Sequence, residues 1–156
     1  MISFRPLLIS LMLMTSFIYS QQVQLGFGSV DVSNGVVEVT INNDIDVAGF
    51  QFDVGGSNLS GASGGFAANN GFTVSVGGST VLGFSFTGST IPAGSNGVLT
   101  SLQGNFSDDI CLELGNGAIS DSSGNAIDVS FGEFDCNGAE PPCDDDDSDG
   151  ICDDVD

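Results

Sequence analysis

Apolar and polar residues alternate along most of this chain with a period of two. Val23, Leu25 and Phe27 alternate with Gln24 and Gly26, and Val37, Val39 and Ile41 with Glu38 and Thr40. Phe50, Phe52 and Val54 alternate with Gln51 and Asp53, and Phe72, Val74 and Val76 with Thr73 and Ser75. Leu82, Phe84 and Phe86 are spaced in the same way by Gly83 and Ser85. Successive side chains of an extended backbone point to opposite faces, so each run predicts a strand with one face in a core and one in water. On this reading Phe50, Phe52, Leu82, Phe84 and Phe86 all face inward. Residues 98–106, 110–114, 118–120 and 126–134 predict the closing strands, and no helical period is long enough to compete.

Turn signals separate the runs. Ser33-Asn34-Gly35 predicts a hairpin, because Asn-Gly accepts the positive φ of primed turns. Residues 42–46, Gly77-Gly78, Ile91-Pro92-Ala93-Gly94, Asn116-Gly117 and residues 122–125 are further turns, rich in side chains that bond their own backbone. Residues 55–70 have the Gly, Ser, Ala and Asn content of a flexible linker. Their place inside one domain predicts instead a long surface loop pinned by Leu59 and Phe66. Short half-buried strands at this spacing predict an all-β fold, an antiparallel β-sandwich, with an irregular acidic tail. Asp31, Asp44, Asp46, Asp53, Asp108 and Asp121 read as solvated turn or edge residues rather than ligands.

The two ends of the chain lie outside this pattern. Residues 1–6 carry Arg5, the single basic residue of the chain, an apolar run follows over 7–18, and the segment ends in Ser20. This is the order of a secretory signal peptide cleaved before Gln21, and the run is shorter than the roughly 18–20 residues of a membrane span. The expected location is therefore extracellular, secreted or at the cell surface, with no membrane insertion after cleavage. Residues 137–142 form a linker stiffened by Pro141-Pro142, and residues 143–156 form an acidic tail.

Charge narrows the function. The formal net charge is −20, and beyond Arg5 the chain has no Lys, Arg or His. Nucleic acid is excluded as a partner, because neutralising phosphates takes Lys and Arg. Adsorption to anionic lipid is disfavoured for the same reason. Catalysis by a His base, a Lys nucleophile or an Arg clamp is excluded, and the expectation is a protein that is not an enzyme. A carboxylate pair could still hydrolyse glycosides, but a small domain without deep inserted loops is a poor scaffold for it.

The four cysteines are Cys111, Cys136, Cys143 and Cys152. In a secreted chain an even number favours two disulfides, and four cysteines allow three pairings. The preferred pairing is Cys111–Cys136 within the domain and Cys143–Cys152 across the tail, although sequence does not fix connectivity.

The tail carries the most specific motif. Asp145, Asp147, Asp149, Asp153 and Asp156 stand at loop positions 1, 3, 5, 9 and 12, with Gly150 at 6 and the Ile151 carbonyl at 7. A Ca²⁺ ion needs six to eight hard oxygens on a tightly curled backbone, and this spacing supplies them. Asp at position 12 departs from the EF-hand pattern, which has Glu there, and the competing reading is a solvated acidic run without a ligand.

Two resemblances follow from these residues. Asp-x-Asp-x-Asp-Gly-x-x-Asp-x-x-Asp resembles a thrombospondin type 3 repeat, which implies calcium as the cofactor and a loop cross-tied by Cys143 and Cys152. Such repeats come in tandem, so a single one ending at Asp156 reads as truncated. The sandwich, through Asn-Asp-Ile-Asp-Val-Ala-Gly-Phe-Gln-Phe-Asp-Val, Val-Leu-Gly-Phe-Ser-Phe-Thr-Gly-Ser-Thr-Ile-Pro-Ala-Gly and Ile-Ser-Asp-Ser-Ser-Gly-Asn-Ala-Ile, resembles the cohesin-like modules of bacterial secreted proteins. That resemblance covers residues 23–136 and implies a jelly roll of about nine strands, in a superfamily that also contains carbohydrate-binding modules. It implies a non-enzymatic binding or adhesion module with a protein or cell-surface partner. The alternative is a carbohydrate-binding module accessory to an extracellular enzyme, with a polysaccharide partner. The mature chain lacks Trp and Tyr, which lowers that alternative, and leaves Phe66 as the aromatic expected outside the core.

Overall fold

The computed structural model describes residues 22–137. The strands are β1 (Gln22–Asp31), β2 (Val36–Asn43), β3 (Gly49–Ser63), β4 (Thr73–Gly77), β5 (Thr80–Phe84), β6 (Asn96–Glu113), β7 (Ile119–Ser120) and β8 (Ala126–Ser130). One short helix, α1 (Gly65–Asn69), follows β3, and 3-10 turns occupy Val32–Asn34 and Gly132–Phe134. No helix among the described residues is long and apolar enough to cross a membrane.

Hydrogen bonding links the strands in the order β4-β5-β3-β6-β2-β1-β8-β7, and β7 returns to β3. Two long strands make this continuous network a sandwich. The first part of β3 pairs with β5, and its later part, from Ser57 to Ser63, runs along β6. The first part of β6 pairs with β2, and its end, Cys111 to Glu113, pairs with Asp53 to Gly55 of β3. The register breaks between Gly55 and Ser57 and again between Leu59 and Gly61, and at such bulges a strand passes from one layer to the other. Gly56 takes φ 73° at the first break, a conformation that costs glycine nothing, and its carbonyl accepts from the Ser107 hydroxyl. The first layer is therefore β4, β5, the start of β3 and the end of β6. The second is β8, β1, β2, the start of β6 and the end of β3.

The inner faces form one core. Val23, Leu25, Val37, Val39 and Ile41 from β1 and β2 meet Phe50, Phe52, Val54 and Val81 from β3 and β5. Phe50 stacks on Phe52 and on Phe72, with ring centroids 5.9 Å apart in each pair. Burying a side chain of this size stabilises the fold by roughly 1.5–3 kcal/mol, so this aromatic stack anchors the core. The all-β sandwich expected from the alternation is present. There are eight strands rather than about nine, and β3 and β6 each contribute to both layers.

Four expectations are corrected. Residues 55–70 are not a long loop: β3 continues to Ser63, pairs with β6, buries Leu59 and leads into α1. Backbone pairing with β6 outweighs the poor strand propensity of Gly, Ser and Asn. Phe66 is half-buried against the core, where its ring lies over Gly97, a residue with no side chain to exclude it. Residues 98–106 and 110–114 belong to one strand, while 126–134 stops as a strand at Ser130 and tightens into a 3-10 turn. The fourth correction concerns β5 and defines the candidate site.

Candidate functional site

On β5 the inward residues are Val81 and Gly83, and Leu82, Phe84 and the following Phe86 point outward. The alternation of Leu82, Phe84 and Phe86 is real, but it belongs to the solvent face. The cause is a non-local packing demand. Gly83 is paired directly with Phe50, whose ring lies where a side chain at 83 would stand. A Cβ built on Gly83 would come within 2.1 Å of the ring, so only glycine fits beneath it. Placing Gly83 inward sends both neighbours outward.

The result is an apolar strip on the outer face of the first layer. Leu82 lies between Gln51 and Ser75, and Phe84 between Gly49 and Thr73, so the neighbours are polar or small and leave the strip open. Phe86 is 82% exposed. Its ring meets that of Phe84 edge-on, with centroids 4.8 Å apart, a favourable arrangement of the two quadrupoles. The loop that presents Phe86 is held by its own hydroxyls. Ser85 Oγ accepts from the backbone N–H of Thr87 and Ser89, and the Thr87 hydroxyl bridges those of Ser85 and Ser89 at 3.1 and 3.0 Å. Phe86 is thus displayed by a structured loop. The signal available in the sequence was the glycine inside the alternation at position 83.

One end of this face is acidic. Asp53 stands directly opposite Glu113 on β6, and the Asp53 carboxylate accepts from the Thr80 hydroxyl. Like charges facing across a strand pair are unfavourable, and the described residues contain no Lys, Arg or His to offset them. Beyond them the Cys111–Cys136 disulfide lies against Gly55, where a Cβ would approach the two sulfurs to 2.6 and 2.8 Å. Cys136 N–H also donates to Leu112 O, and Asp135 forms a parallel bridge with Leu112. The exit of the chain therefore covers the edge of β6.

Of the other aspartates, Asp44 and Asp46 tie together segments distant in the chain, and Asp31 and Asp121 bond within their own turns. Asp44 accepts from Gln22 N–H and Asp46 from Ala93 N–H, each at 2.8 Å. Asp31 accepts from the Asn34 amide, Ser33 hydroxyl and Asn34 N–H, and these bonds hold its carboxyl below the ordinary value. Asp121 is lowered in the same way by the Asn125 side chain, then by backbone N–H groups. Among the described residues no three His, Cys, Asp or Glu side chains converge as a metal site. The calcium ligands expected at Asp145, Asp147, Asp149, Ile151, Asp153 and Asp156, together with Cys143 and Cys152, lie outside the described residues, as does the leader.

No family model matches the chain, and no curated protein matches it significantly. Solved structures do. A non-cellulosomal cohesin from the hyperthermophilic archaeon Archaeoglobus fulgidus superposes with a TM-score of 0.50 at 18% identity, over 70% of this chain and 86% of that one. A chain of the CaDoc0917–CaCohA2 complex superposes with a TM-score of 0.47 at 14% identity, over 70% of this chain and 94% of its own. In fold, the chain is similar to a cohesin.

Proposed function

We propose that this domain is a non-enzymatic extracellular module that binds a protein partner on the outer face of its first layer. The observation that carries this reading is the strip formed by Leu82, Phe84 and Phe86, apolar, contiguous and rimmed by polar residues. Exposed patches of this kind mark interaction surfaces, and aromatic side chains are the usual anchors of such interfaces. Asp53 and Glu113 at one end favour a partner with a basic rim, since electrostatic complementarity steers the encounter. The likeness in fold to a cohesin is in keeping with a binding role. Cross-linking and mass spectrometry on the cell-surface fraction of the producing cells, with wild type and Phe86→Asp in parallel, test the reading. A partner cross-linked through this face and lost in the variant supports it. Equal capture by both forms refutes the face.

The leader pattern and the disulfide support secretion, and the acidic loop after Pro142 supports calcium binding there. In this reading Asp145, Asp147, Asp149, Asp153 and Asp156 with the Ile151 carbonyl hold one Ca²⁺ structurally, and the ion stiffens the segment that follows the sandwich. Calorimetric titration of the mature chain should show calcium-dependent heat that Asp147→Ala and Asp149→Ala diminish. No heat at millimolar calcium would sink the assignment.

A further inference from the structure

The second layer carries a different surface. Strand register sets three amide side chains in a row across it: Gln24 on β1 pairs directly with Asn42 on β2, and Asn42 pairs directly with Asn96 on β6. All three are exposed, and none of their side-chain amides is engaged by a described residue. A second row, Gly26, Thr40 and Val98, lies beside the first. Because Gly26 has no side chain, the ring of Phe134 settles over it, 3.5 Å from where a Cβ would be. The 3-10 turn that carries Phe134 forms the wall of a groove of about 390 Å³.

We propose that this groove binds a neutral glycan chain. Each amide offers a donor and an acceptor side by side, and a sugar's vicinal hydroxyls need both. Three amides at strand spacing repeat that offer along a line, which suits a polymer of repeating hydroxyl pairs. Phe134 adds an apolar surface for the C–H face of a ring. The volume lies within the range of small-molecule sites. Charge selects among glycans: Glu133 lines the groove, and no cation exists among the described residues to receive a sulfate or a uronate. A peptide is the weaker fit. β1 lies between β2 and β8, and β2 between β1 and β6, so neither offers a free edge for strand addition.

This site is independent of the protein-binding face, and its test is separable. Native affinity electrophoresis of the mature, disulfide-bonded chain with calcium present would use xyloglucan, galactomannan, mixed-linkage β-glucan, laminarin and soluble starch, with alginate as the anionic control. At least one neutral polymer should retard the protein, and alginate should not. Asn42→Ala and Gln24→Ala should each weaken the interaction about tenfold, the loss of one or two neutral hydrogen bonds. Asn96→Ala repeats the test from a third strand, and all three positions are exposed, so circular dichroism should be unchanged. Phe86→Ala should bind glycan as wild type does. No retardation by any neutral polymer overturns the proposal, as does binding that survives the three amide variants or depends on Phe86.

Discussion

Phe50 and Gly83 face each other across β3 and β5 so closely that the phenyl ring fills the space of the missing side chain. The pair links core and surface. It seats one of the two inward rings of β3, and it fixes which face of β5 meets solvent.

Gly83→Ala should therefore destabilise the domain by about 2 kcal/mol, within the range for overpacking a tight core. The clash is with a buried ring stacked against both Phe52 and Phe72, which restricts its movement. Urea unfolding of the two proteins measures the difference. An unchanged midpoint would mean that the ring is not so placed.

The face assignment on β5 makes a contrast. Val81 is fully buried and Phe86 almost fully exposed. Val81→Ala should cost about 2 kcal/mol, and Phe86→Ala should stay within about 0.5 kcal/mol of wild type, despite removing the larger side chain. A reversed order of the two unfolding midpoints would restore the opposite register.

Reducing the Cys111–Cys136 bond, or replacing both cysteines with alanine, should lower stability by about 3 kcal/mol, the loop-closure entropy for a separation of this length. Gly55→Ala should also destabilise the oxidised protein, because a methyl there meets both sulfurs, and do less harm once the bond is gone. Denaturation with and without reductant gives all four values.

Acid should affect this protein unusually. Hydrogen bonds hold Asp31 and Asp121 below their ordinary value of 3.8, so their contribution is complete above that pH and lost as pH falls below it. Arg5 is the single side-chain cation of the chain, so acid builds almost no positive excess. The thermal midpoint should hold from about pH 7 to about pH 4 and decline only below 3.8. A steady fall across the upper range would contradict this balance.

The sequence shows some of these features and conceals others, for physical reasons. Runs such as Val37 to Ile41 are legible because burial of one face imposes period two directly. The turns at Asp31 and Asp121 are legible because their hydrogen bonds are local: Asp121 reaches no further along the chain than Asn125. The face of β5 is not, because both phases of that run contain apolar residues and the choice rests on Phe50, far away in the chain. The extension of β3 to Ser63 is hidden because its stability comes from pairing with β6. The amide row is hidden for the same reason, since Gln24, Asn42 and Asn96 become neighbours only through register.

The disulfide at the exit of the domain also determines how the fold bears load. Tension applied through residue 137 enters at Cys136 and passes through the sulfurs to Cys111 on β6. The segment between them, which includes β7 and β8, is bypassed. When the oxidised domain is pulled apart, the 25-residue separation between the two cysteines adds nothing to the released length. The extension is shorter by roughly 80 Å than for the reduced chain, at about 3.3–3.6 Å per residue. The first element to bear the pull is the end of β6 beside β3, so β7 and β8 are not peeled away ahead of it.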